Sequence, residues 1–92
     1  MSYGAFPKYT RDPVSVTTTP AQLIGANEKR YVLFIVNEGP SKVYLGSGSM
    51  TSGSGLPLPS GSIYPDYDSK DSWWAATASG TADVRLMEVE HE

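Results

Sequence analysis

The chain has 92 residues, of which 39% are hydrophobic and 18% charged, with a net charge of −3, no cysteine and one histidine. This composition excludes disulfide staples, thiolate metal sites and metal binding by imidazole pairs, and it lacks the basic face that nucleic-acid binding uses. No run of about 18 apolar residues is present to cross a membrane as a helix. One small domain is expected. A domain of this size buries only roughly 60–65% of its unfolded surface, which makes oligomerisation the most available source of further burial.

Residues 1–13 carry Tyr3, Phe6 and Tyr9 at regular spacing among Gly4, Pro7 and Lys8, and close with Asp12-Pro13. Prolines and the lack of a clean period predict an extended N-terminal arm. It is either a frayed end or a segment whose three aromatics dock on a neighbour, since aromatic anchors carry much interface energy. The order MSYGAFPKYTRDP is not the basic-then-apolar order of a signal peptide, and synthesis in the cytoplasm is expected. The rest, 14–92, reads as a single β domain rich in Ser, Thr, Gly and Pro.

Val14–Thr19 is expected as a first strand, ended by Pro20, which has no backbone N–H to give. Ala21–Ile24 is a short apolar segment, strand or single turn. Gly25-Ala26-Asn27 then leads into the central stretch Arg30–Gly46. Six apolar residues, Tyr31–Val36, are followed by a predicted turn at 37–41 and by a second strand in which Val43 and Leu45 alternate with Lys42 and Tyr44. A central hairpin is expected. Tyr31, Leu33 and Ile35 point one way while Val32, Phe34 and Val36 point the other, so both faces of the first strand call for cover.

Gly46 to Ser62 holds no charged residue. It is either a flexible Gly/Ser connection or a crossover containing an edge strand at Leu56-Pro57-Leu58-Pro59 with Met50 beneath it. Another strand spans Ser62–Pro65. Tyr64, Asp66, Tyr67, Asp68 and Asp71 then crowd together. Spaced carboxylates could ligate calcium, but the glycine and terminal glutamate of the helical calcium loop are missing, and a solvated turn is the competing reading. Trp73–Ala78 and Ala82–Glu90 complete the chain. Adjacent Trp73 and Trp74 should face opposite sides, one in the core. Val84 and Leu86 fall on one face and Met87 and Val89 on the other, which predicts a bulge near Leu86-Met87 or a change of sheet. The expected fold is all-β, a small β-sandwich of jelly-roll or Ig-like type with about six to eight short strands.

No catalytic constellation stands out. His91 is penultimate, and carboxylate pairs drawn from Asp66, Asp68 and Asp71 would need a cleft that so small a domain is poorly placed to build. The expectation is a non-enzyme without cofactor or metal.

Three stretches, VSVTTTPAQLIGANEKR, YVLFIVNEGPSKVYLGSGSMTSGSG and LPSGSIY, are followed by WWAATASGTADV and an acidic last strand. In this order the chain from Val14 to Glu90 resembles a family of small tailed-bacteriophage virion proteins, described as head decoration, head fibre or cement-like proteins. One departure is Leu58-Pro59-Ser60-Gly61, where leucine-proline-glycine is the expected pattern. The resemblance implies a cysteine-free β-sandwich without catalytic motif, made in the host cytoplasm and seated on the capsid surface of the virion. Its implied partners are the phage major capsid protein and further copies of itself, as a trimer or dimer. Tyr3, Phe6 and Tyr9 would then contact the coat, and Tyr31, Phe34 and one of Trp73 and Trp74 would serve self-association. Two other readings remain: a carbohydrate-binding module with Tyr64, Tyr67 and Trp74 as a stacking platform, and a tail or baseplate component.

Overall fold

A computed structural model describes residues 8–10, 13–51, 53–67 and 69–90. Among them are nine strands and no helix: β1 (Lys8–Thr10), β2 (Val14–Val16), β3 (Ala21–Ile24), β4 (Arg30–Pro40), β5 (Val43–Gly46), β6 (Leu56–Leu58), β7 (Ile63–Asp66), β8 (Trp73–Thr77) and β9 (Ala82–Glu90). They form two antiparallel sheets. The larger runs β1-β9-β4-β7, with β2 also on β9, and the smaller runs β3-β8-β5-β6. This is the expected small β-sandwich. The strand count exceeds the expected range partly because Lys8–Thr10 joins the larger sheet, pairing with Met87–Val89.

The core lies between the sheets. Val16, Leu33, Ile35, Val84 and Leu86 from the larger sheet meet Leu23, Val43, Leu45, Leu58 and Ala75 from the smaller. Each set follows the two-residue alternation of a strand with one face on the core.

Four expectations need correction. The central stretch is not a hairpin: β4 pairs with β9 and β7, while β5 pairs with β8 and β6, so the chain passes from one sheet to the other at Ser41-Lys42. The expected turn at 37–41 is mostly strand, because β4 runs on to Pro40 beside β9. Asn37 holds this passage in place. Its side-chain amide donates to the carbonyls of Ser41 (2.9 Å) and Leu58 (2.8 Å), and its side-chain oxygen accepts from the Gly39 N–H (2.7 Å). The first strand is shorter than Val14–Thr19, since Thr17–Thr19 carry the chain across to the smaller sheet. The backbone oxygen of Thr17 accepts from the Thr77 N–H on the way.

The fourth correction concerns the last strand. β9 keeps one register through Leu86-Met87, and the irregularities lie on β4, between Arg30 and Val32 and between Asn37 and Gly39. Met87 and Val89 therefore face away from the core by simple alternation. Of the two readings for 46–62, the edge strand forms as β6. Both β6 and β7 carry a proline, which removes a donor from a sheet edge and discourages further strand pairing.

Candidate assembly surface

The outward side of the larger sheet follows from the registers. Val32 sits beside Val89, Phe34 beside Met87 and Pro65, and Val36 beside Arg85 and Ile63. These positions alternate with Leu33, Ile35, Val84 and Leu86, which occupy the core. A sheet with one solvated face would carry polar residues here. Instead, valine, phenylalanine, isoleucine and methionine run across three adjacent strands, with Arg85 and Glu38 paired at one end (2.8 Å). Ile63 on this face is 57% exposed.

The opposite character appears at the end of the sandwich where β4 begins. Arg30 and Glu88 are each 1% exposed, and Arg30 Nε donates to Glu88 Oε2 at 2.9 Å. The remaining guanidinium nitrogens donate to the backbone oxygens of Asp71 (2.8 Å) and Gly25 (2.8 Å). Asn27 Nδ2 donates to both Glu88 Oε2 (3.0 Å) and Glu90 Oε2 (2.7 Å). Lys70 Nζ donates back to the Arg30 carbonyl (3.0 Å). A cleft of about 480 Å³ opens beside this cluster, lined by Gln22, Ile24, Asn27, Glu88 and Glu90 among others. The two carboxylates in the cleft wall are both taken up by protein donors, so the cluster works as a bracket that fixes the 25–29 and 69–71 segments to β4 and β9.

Asp66, the first carboxylate of the acidic stretch, is absorbed in the same way. Asp66 is buried; it accepts from the Trp73 indole N–H (2.9 Å) and the Ser69 N–H (3.1 Å). Asp68 lies outside the described residues. Among those described, no group of three or more His, Cys, Asp or Glu side chains is placed to hold a metal ion.

The aromatic candidates separate. Trp73 packs against the core and meets Tyr64 edge-on, with ring centroids 5.6 Å apart at 63°. Trp74 faces the other side of β8, where a side chain on Gly48 would meet its indole at 3.3 Å. Tyr67 is exposed in the turn after β7. Tyr64, Tyr67 and Trp74 thus do not come together: Tyr64 turns inward from the larger sheet, and Trp74 turns outward from the smaller. Tyr31, at the irregularity on β4, is 47% exposed, and Phe34 is half-buried on the outward face. The backbone of Tyr9 pairs with Glu88, and Tyr3 and Phe6 lie outside the described residues.

The sequence reading missed Arg30, Glu88 and Asn37. A signal for two of them was present. Asn37 continues the two-residue phase of Leu33 and Ile35, and Glu88 continues that of Val84 and Leu86.

No protein-family model, curated protein or solved structure matches the chain.

Proposed function

We propose that this chain is a non-enzymatic structural protein of a tailed-phage virion, which docks on the assembled capsid and bridges neighbouring coat subunits. The carrying observation is the apolar outward face of β9, β4 and β7. A face built this way loses free energy in water at roughly 25 cal/mol per Å² left uncovered, and it favours a partner that covers it. The resemblance of the sequence to head decoration and cement-like proteins supplies the class of partner. Self-association as a dimer or trimer through Tyr31 and Phe34, with coat contact from the aromatic N-terminal segment, belongs to the same reading. Binding to the lattice and not to free coat subunits stabilises the particle by mass action.

The test is co-sedimentation of the full chain with assembled capsid shells and, separately, with unassembled coat protein. Saturable binding to shells alone is expected. Ile63→Asp, on an exposed position that leaves the core untouched, should weaken it at least tenfold. Absence of binding to shells would remove the proposal.

A further inference from the structure

The bracket around Arg30 grips a neighbouring segment by its backbone. Arg30 Nη1 donates to the backbone oxygens of Ser69 (3.4 Å) and Asp71 (2.8 Å), and the Asn27 N–H donates to that of Lys70 (2.8 Å). Three successive carbonyls, 69 to 71, are thus fixed from inside the protein. Apolar side chains of similar volume often hold a core as well as a buried ion pair does, so stability alone does not account for the pair. What it adds is a segment held in one conformation, with its side chains left over for other use.

Those side chains line a cleft of about 300 Å³ between the 69–72 segment and the end of β5. Trp73 supplies an aromatic wall, and Ser47, Ser69, Asp71 and Ser72 supply polar groups. The wall is itself fixed, because the Trp73 indole N–H donates to Asp66 Oδ2 (2.9 Å) and its ring meets Tyr64 edge-on. Ser69 Oγ accepts from the Asp71 N–H (3.1 Å), which leaves its own proton to donate. Among the described residues, neither the Asp71 carboxylate nor the Ser72 hydroxyl has a protein partner.

A rigid aromatic wall beside one carboxylate and three hydroxyls suits a saccharide ring. The C–H face of such a ring gains by lying against an indole, through apolar burial and dispersion. Its hydroxyls both donate and accept, so they can give to Asp71 and exchange with serine. The volume lies at the lower end for ligand pockets, which fits a single ring. An organic cation would also use the indole and the carboxylate, but hydroxyls that bring protons serve it poorly. An anion would meet Asp71 unfavourably.

We infer that this cleft is a subsite for a neutral saccharide ring, held against Trp73 with its hydroxyls on Asp71 and Ser72. Arg30 and Glu88 act as positioning residues for the 69–71 segment. The site lies apart from the outward face of the larger sheet and does not rest on the capsid reading. It also uses a different tryptophan from the platform of Tyr64, Tyr67 and Trp74, which the fold does not assemble.

The test is titration of the full, isotope-labelled chain with glucose, galactose, N-acetylglucosamine, cellotetraose and chitotetraose, followed by amide and indole N–H chemical shifts. With at least one of them, saturable shifts are expected at 46–47 and 69–73, with the Trp73 indole moving and the Trp74 indole still. A single ring should bind with a Kd on the order of 1 mM. Asp71→Ala, at an exposed position, should weaken binding at least tenfold at unchanged circular dichroism. Arg30→Met with Glu88→Leu, which refills the buried space and releases the segment, should weaken it several-fold with the β signature retained. Absence of shifts with every sugar at about 50 mM, well above that Kd, would overturn the assignment. So would unchanged affinity in Asp71→Ala, or saturable shifts at these residues with tetramethylammonium chloride while the sugars are inert. Parent-level affinity in the folded double variant would overturn the positioning role of Arg30 and Glu88.

Discussion

Arg30 and Glu88 form a fully buried ion pair, 2.9 Å from Nε to Oε2, between two residues 58 apart in the chain. It sits where the first turn of β4 into the sheet meets the end of β9. Burying two charges is costly, and the cost is offset only because both other guanidinium nitrogens of Arg30 donate to backbone carbonyls and Asn27 adds a second donor to Glu88. Removing one partner leaves the other charge desolvated. Glu88→Ala and Arg30→Ala should each lower the unfolding free energy by about 3–5 kcal/mol, read from urea midpoints. In a double-mutant cycle, Arg30→Met with Glu88→Leu should lose less than the two single changes added together. Additivity would show that the residues do not act as a pair.

Asn37 ties three segments through one amide: the passage into β5, the end of β6 and the bend at Gly39. Asn37→Ala leaves the buried Leu58 carbonyl, the part-buried Ser41 carbonyl and the Gly39 N–H without their partner, at about 1–3 kcal/mol for each group that water cannot reach. A total loss of about 2–5 kcal/mol is expected. Asn37→Asp should be at least as damaging, because a carboxylate would then face the oxygens of Ser41 and Leu58. A stability equal to the parent in both variants would show that water replaces the amide freely.

These two clusters mark where local sequence stops being informative. Alternation in VYL and ADVRL gives the strands and the core face, because side-chain direction along a strand depends only on neighbours. Pairing depends on the far chain. NEGPS between two strands has the composition of a hairpin turn, yet the strands it joins belong to opposite sheets because Val43 and Leu45 must face Leu33 and Ile35 across the core. The outward apolar face was legible from Val32, Phe34 and Val36 alone. Its extension to Met87, Val89 and Ile63 needed the registers, which no local pattern supplies.

A surface pair makes the contrast with Arg30 and Glu88 measurable. Arg85 Nε and Glu38 Oε1 are 2.8 Å apart, as close as the buried pair, but their side chains are 56% and 44% exposed. Water screens them, and holding two long side chains costs entropy. Arg85→Ala should change stability by less than about 1 kcal/mol, and that small effect should vanish in molar salt. A loss comparable with that of Glu88→Ala would mean the pair is covered, as it would be if a partner closed over this end of the face.

The uncharged stretch before β6 contains a position where only glycine is accommodated. Gly55 has φ of +106°, and a Cβ there would collide with the carbonyl oxygen of Leu45 on the neighbouring strand. Backbone cannot step aside without breaking the β5–β6 pairing that seats Leu58 in the core. Gly61 offers the control: its φ is +83°, yet a Cβ would meet nothing within 4 Å. Gly61→Ala therefore bears only the conformational cost of a left-handed residue, about 1–2 kcal/mol. Gly55→Ala adds a steric collision with backbone, and its loss should exceed that of Gly61→Ala by at least about 1 kcal/mol, with faster amide exchange along β6. Equal losses would mean that β6 is held too loosely for its registry with Leu45 to matter, and that the stretch behaves as a flexible Gly/Ser connection after all.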